Sequence, residues 1–344
     1  MKGVCAVIKK HLSTLLLGTL LLIISVLSLF VGVIDIDLNM LLFGGDGMEL
    51  KIFLLGRIPR LLAILCTGVG MSVAGLIMQQ LCMNKFVSPS TGATIQSAQF
   101  GILLSLVFIP TIGLWGRVLL AFATSILGTW IFVLFVQRIQ FKNTVLVPLI
   151  GIMFGNVLGG ITNFIAYKFE VTQQLSTYFV GSFALIIKGN YELVWLAVPL
   201  VIIAFIFANY FNIVGMGKDF SQNLGVNYNL VLFLGLTIAS MITASVVSVV
   251  GQISYIGLII PNIVAMFKGD KIKGTLVDTA LFGALFVLIC DIIARSVIMP
   301  YELPIELIVG IIGSIMFIVM LIYKLNHGKK AIRLGKAKEG SCCG

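Results

Sequence analysis

Ten stretches of this 344-residue chain are apolar and of membrane-spanning length: 12–34, 57–81, 90–109, 117–136, 144–166, 191–208, 229–250, 253–267, 275–299 and 303–324. A helix needs about 20 apolar residues to cross the hydrocarbon core of a bilayer. The run 253–267 is short, and 57–81 opens on arginines. Only 10% of the residues are charged, whereas an ordinary soluble domain carries about 25%. The fold class expected is therefore all-α and membrane-embedded, one domain over 1–344 with about ten transmembrane helices. One internal polar stretch, 209–229, is long enough to present a shaped surface, and a basic tail, 326–344, follows the last run.

The net charge of +10 is a matter of topology. With the N-terminus inside, sixteen of the 23 Lys and Arg fall on cytoplasmic segments and seven outside, the bias that orients membrane proteins. Both termini are expected in the cytoplasm, with lipid as surroundings and no nucleic-acid partner. The first run is too long for a signal peptide and lacks a small-residue cleavage site, so it should persist as a helix. The six cysteines show no metal spacing and none lies in an outer loop, so structural disulfides are not expected. Cys342 and Cys343 do not form a prenylation box and read as free thiols.

Runs two to five and seven to ten form two sets of four around the sixth. Alternating passage through the bilayer would orient the sets oppositely, as in inverted-repeat transporters. Gly151, Gly155 and Gly159 share one face of the fifth helix, which suits close helix packing.

Enzyme constellations are absent from the sequence: no HExxH, CxxC or GxSxG, and no phosphate-binding loop. If ATP drives this protein, another chain must bind it. Polar residues inside the runs carry what chemistry remains. Arg57 and Arg60 lie on one helix face, suited to capturing carboxylates of a docking protein or to snorkelling among headgroups. Asp291 and Arg295 are four apart and can pair, although an ionisable group inside a membrane is also a functional candidate. Asn156 and Asn163, two turns apart, either line a polar pathway with Thr144 at its inner end or bond neighbouring helices. Gln79, Gln80, Gln96 and Gln99 suggest a wet cavity. Ser88-Pro89-Ser90 reads as a capped helix start, and Pro261 as a break in the eighth run.

Taken in order, Arg57-Ile-Pro-Arg60 with its Gly/Ala-rich helix, Asn84 to Pro89, Leu224-Gly225-Val226, Gly251 to Pro261 and Glu302-Leu303-Pro304 resemble the iron-siderophore and cobalamin ABC importer permeases. The resemblance covers residues 50–325. It implies an inverted-repeat type II permease that works in pairs, with an identical or homologous second subunit. Two cytoplasmic ATPase subunits would hold ATP and Mg, none bound by this chain, and an external binding protein would deliver substrate. By the same resemblance Arg57, Arg60 and Arg295 face acidic residues of that binding protein. The segment 211–226, with Phe211, Gly215, Asp219, Leu224, Gly225 and Val226, would couple to the ATPase. The turn at Thr144 matches a cytoplasmic gate, and Asn84 and Asn262 join Asn156 and Asn163 as pathway or gate candidates.

The chain departs from the commoner family pattern at Pro261-Asn262, at Ala265, at Ile305-Glu306 and in Asn84 to Pro89. These variants look like the petrobactin and anguibactin branch and imply a catecholate-type ferric siderophore. Cobalamin or haem would be the alternative cargo. A self-sufficient secondary transporter would need a coupling carboxylate at the midplane, and Asp291, read as the one acid within the helices, lies nearer the outer edge.

Overall fold

The computed structural model describes residues 2–32, 48–138, 146–184, 186–189, 191–269 and 272–340. Ten principal helices are found among them: α1 (Lys2–Phe30), α2 (Ile58–Leu81), α3 (Thr94–Phe108), α4 (Leu114–Arg138), α5 (Leu146–Lys168), α6 (Ala197–Val214), α7 (Tyr228–Val250), α8 (Ile256–Lys268), α9 (Ile272–Ser296) and α10 (Ile305–Gly340). Eight are long and apolar enough to cross a membrane, and α3 and α8 are shorter apolar helices. Thr144 and the Cys342-Cys343 tail lie outside the described residues.

Side-chain contacts fix the direction of each helix. Residues 14 and 28 of α1 meet residues 278 and 295 of α9, so these two run parallel. Arg60 and Gly68 of α2 meet Asp291 and Ala284 of α9, which is antiparallel. Thr94 meets Thr129 between α3 and α4, and Gly101 meets Ala121, again antiparallel. Gly70 on Ile242 with Leu81 on Gly235 sets α7 antiparallel to α2, and Ser125 on Ser240 with Trp130 on Thr237 sets α4 antiparallel to α7. Gly151 on Thr91 with Gly155 on Gln96 sets α5 parallel to α3, and Ala197 on Gly70 with Gly215 on Gln80 sets α6 parallel to α2, so odd and even helices run opposite ways through α7. We call the face from which α1 starts basal and the opposite face distal.

The two sets of four interlock. α2 packs on α8 and α9 of the second set, while α7 packs on α3 and α4 of the first, and α2 and α7 pack on each other. Both short helices start after a residue with positive φ, Ala93 (58°) before α3 and Tyr255 (69°) before α8. Most of α2 and α7 is buried, whereas α1 and α5 keep broad apolar surfaces that face away from the molecule. Lipid or another chain must cover such surfaces.

Three local expectations are corrected. The second helix does not begin at the arginines: a short helix, Met48–Ile52, and a π-turn, Phe53–Arg57, run straight into α2. Pro59 has no N–H for the carbonyl of Leu55, and the backbone N–H of Lys188 donates to that oxygen at 3.0 Å. Nor does Pro261 break the eighth run, for α8 passes through it. The Gly257 carbonyl that proline orphans accepts from Gln79 Nε2 at 3.1 Å. Ser88-Pro89 makes a turn rather than a helix start, with the Ser88 carbonyl accepting from Thr91 and Gly92, and α3 begins only after Ala93.

Two shorter helices lie in connections. Thr172–Phe179 follows α5 on the distal face, and Lys218–Asn223 joins α6 to α7 on the basal face. The first is polar along most of its length, Thr-Gln-Gln-Leu-Ser-Thr-Tyr-Phe, and was not expected from hydropathy.

Candidate functional site

On the distal face, charged side chains from three segments converge. Arg60 Nη1 donates to both carboxylate oxygens of Glu302, at 2.9 and 2.8 Å, and its Nη2 to Asp291 Oδ1 at 2.8 Å. Arg295 Nη2 pairs with Asp291 Oδ2 at 2.8 Å. The same guanidinium grips the end of α1, donating to the carbonyl of Val31 at 2.6 Å and to Ser28 Oγ at 2.6 Å. Arg57 Nη1 donates to the Leu29 carbonyl at 2.7 Å. Asp291 thus sits between two guanidiniums with its side chain 1% exposed, so the structural pairing is what the fold displays. Arg295, expected to present its charge outward, is instead 4% exposed and held inside by α1. Arg57, Arg60, Arg295 and Glu302 line a cleft of about 300 Å³.

A second buried ion pair was missed in the sequence. Lys268 Nζ at the end of α8 contacts Asp278 Oδ2 of α9 at 2.6 Å, and Thr14 of α1 donates to Asp278 Oδ1 at 2.7 Å. Asp291 is therefore not the only acid within the helices. Asp278 went unnoticed because its partner lies on another helix, where residue spacing gives no hint.

The basal connection is tied down by hydrogen bonds and exposed. Gly217 and Gly225 take positive φ of 108° and 72°, letting the chain turn sharply on either side of Lys218–Asn223. Ser221 is buried and donates to the Gly217 carbonyl at 2.7 Å. Asn227 caps α7, its side chain accepting from Leu230 N–H at 3.2 Å. Between these ties Asp219, Leu224 and Gly225 are exposed, along with the apolar Met216 and Phe220. Two residues read as part of this surface are not on it. Phe211 is fully buried against Gly235 of α7, and Gly215 packs under Gln80. Both brace the connection from behind. Val226 is half-buried, its N–H donating to the Ser221 carbonyl.

Polar interior residues divide in the same way. Asn262 is buried and donates to the carbonyls of Lys85 and Leu258, both at 2.7 Å, while the side chain of Asn84 accepts from Phe86 N–H at 2.9 Å. Asn262 thus holds the turn after α2 against α8, whereas the Asn84 bond closes the turn itself. Asn84 also borders a basal cavity of about 240 Å³ with Gln79, Gln80 and Lys85. Burial pushes the thiol of Cys82, in this turn, up to about 12. Gln99 Nε2 donates to Gln252 Oε1 at 2.9 Å, linking α3 to the loop before α8. Asn156 and Asn163 are exposed on the open side of α5. Of the glycine stripe, Gly151 and Gly155 pack against Thr91 and Gln96, whereas a side chain at Gly159 would enter open space.

Comparison with known proteins agrees with this architecture. The chain is 45% identical over 303 residues to the petrobactin import system permease protein YclN of Bacillus subtilis, covering 88% of this chain and 96% of that one. It is 36% identical over 295 residues to the ferric-anguibactin transport system permease protein FatD of Vibrio anguillarum, covering 86% and 94%. A solved structure described as an inward-facing conformation of a metal-chelate type ABC transporter shares the fold, with TM-score 0.78 and 24% identity over 90% of this chain and 98% of that one. The FecCD transport family model matches residues 20–323. A multi-pass chain with ten principal helices among its described residues and this match over most of its length, it belongs to the FecCD transport family.

Proposed function

We propose that this chain is the membrane-spanning permease of an ABC importer that carries a ferric siderophore of the catecholate-bearing type into the cytoplasm. Named permeases for petrobactin and anguibactin at 45% and 36% identity support that substrate class. The chain binds no ATP; two ATPase subunits holding ATP and Mg supply the energy from the basal side. The observation that carries the reading is the presented helix Lys218–Asn223, with Met216, Phe220 and Leu224 standing exposed on a connection braced by Phe211 and Ser221. An apolar surface on a braced loop outside the bilayer fits a protein partner.

The basal face is assigned to the cytoplasm because positive charge concentrates in its connections and in the tail. The external binding protein would seat its carboxylates in the distal cleft. Arg57 lies at the rim, and Arg60 and Arg295 become available as Glu302 and Asp291 release them. The open face of α5, carrying Asn156 and Asn163, would meet a second permease subunit across the pathway, with Thr144 at its cytoplasmic closure.

The test is ATP-driven uptake of a ferric catecholate in proteoliposomes holding the whole importer. Leu224→Asp places a charge in the apolar contact, and Gly225→Pro cannot adopt the φ of 72° that the turn requires. Each variant should insert normally yet lose most uptake. Normal uptake by both, correctly inserted, would sink the coupling assignment.

A further inference from the structure

Beside the helix Thr172–Phe179 lies a distal cavity of about 610 Å³, lined by Thr177, Tyr178, Ser182, Leu193, Ser248 and Val249 among others. Its volume lies within the range that encloses drug-sized ligands, about 300–1,000 Å³. Apolar walls carry a few hydroxyls, the mixture that orients a ligand. Behind Tyr178 stands Arg117, which donates through Nη1 to the tyrosine hydroxyl. Its guanidinium carbon is 5.6 Å from the ring centroid.

Arg60, Arg295 and Lys268 each contact a carboxylate, but Arg117 forms no ion pair among the described residues. Its Nε is buried without a hydrogen-bond partner among them. Arg117 also occupies the first turn of α4, where the helix dipole adds positive potential. Accepting a bond from Arg117 leaves the tyrosine's own O–H free to donate, and the neighbouring cation strengthens it as a donor. The rim therefore offers a phenolic donor backed by a cation, an aromatic face and hydroxyls, with no carboxylate among its lining residues.

We propose that this cavity is an entry site for the anionic ferric catecholate itself, with Tyr178 as the contacting donor and Arg117 as the residue that positions and polarises it. The proposal rests on the importer reading above. It adds a selectivity step within the permease, for negatively charged aromatic chelates over uncharged ones.

The experiment uses the complete complex without its binding protein, in nanodiscs of phosphatidylcholine, and measures equilibrium retention of radioiron as trianionic ferric tris-catecholate or as an uncharged ferric hydroxamate. Wild type should retain the catecholate and not the hydroxamate. Tyr178→Phe, which keeps the ring, and Arg117→Gln should each weaken catecholate binding about tenfold, the worth of one charge-assisted hydrogen bond. Arg117→Lys keeps the charge but not the flat guanidinium, and should lose about threefold; it stays informative should Arg117→Gln fail to fold. Wild type that retains no catecholate, or retains both chelates equally, overturns the proposal. So does unchanged catecholate binding in Tyr178→Phe, which would leave Arg117 as a brace for the short helix or a lipid contact. ATP-driven uptake by wild type with its binding protein is scored separately, so the entry site can fail while the importer reading stands.

Discussion

Asp291 is the residue on which the distal face turns. Its two carboxylate oxygens separate the guanidiniums of Arg60 and Arg295, which would otherwise be buried side by side. Removing one member of a buried ion network leaves its partners desolvated and unpaired, at a cost of about 3–5 kcal/mol. Asp291→Asn should accordingly lower the thermal midpoint of the purified protein in detergent. Asp291→Asn with Arg295→Met should recover part of the loss. A double variant no more stable than the single one would show that the carboxylate is not compensating those charges. The Asp291–Arg295 pair was legible at four-residue spacing. The third member was not, since Arg60 lies 231 residues away in sequence and only the packing of α2 on α9 brings it there. The same limit hid Asp278 and moved Arg295 from the surface to the interior.

At the scale of elements, hydropathy located the helices well because lipid demands long apolar runs, but it could not see how backbone irregularities are resolved. Pro261 looked like a break. The helix survives because Gln79, a polar residue read as a sign of wet space, donates to the carbonyl that the proline orphans. Close approach makes this possible: a Cβ on Gly75 would collide with the backbone of Gly257. Gln79→Leu should cost about 1–3 kcal/mol, the penalty of an unsatisfied buried carbonyl. In a Pro261→Ala background the alanine supplies its own helical N–H, so the same substitution should cost much less. Equal costs in both backgrounds, read from the two arms of a double-mutant cycle, would refute the pairing. The polar helix Thr172–Phe179 escaped notice for the opposite reason, since amphipathic surface segments leave no apolar run.

For the molecule as a whole, the interlocked sets account for why the fold is one unit although hydropathy reads as a string of independent spans. α2 and α7 each lie among helices of the other set, so neither set can bury its own inner helix alone. α1 stands apart from this core. It is fastened to α9 at two points, by Thr14 on Asp278 toward the basal face and by Ser28 and Val31 on Arg295 near the distal face, while most of its length faces outward. That arrangement sets a timetable for biosynthesis. Thr14 and Asp278 are 264 residues apart, so at about 5–20 residues per second the ribosome takes on the order of 10–50 s to deliver the partner after α1 is made. Meanwhile α1 waits in the bilayer without its α9 partners, which its apolar exterior permits, while Arg57 of the segment before α2 is already made and can reach the Leu29 carbonyl. Thr14→Cys and Ser28→Cys should each crosslink to lipid in nascent chains arrested before residue 272, and each should be shielded in chains arrested well beyond residue 296. Early shielding in the shorter chains would mean that the first helix finds another berth before its own is synthesised.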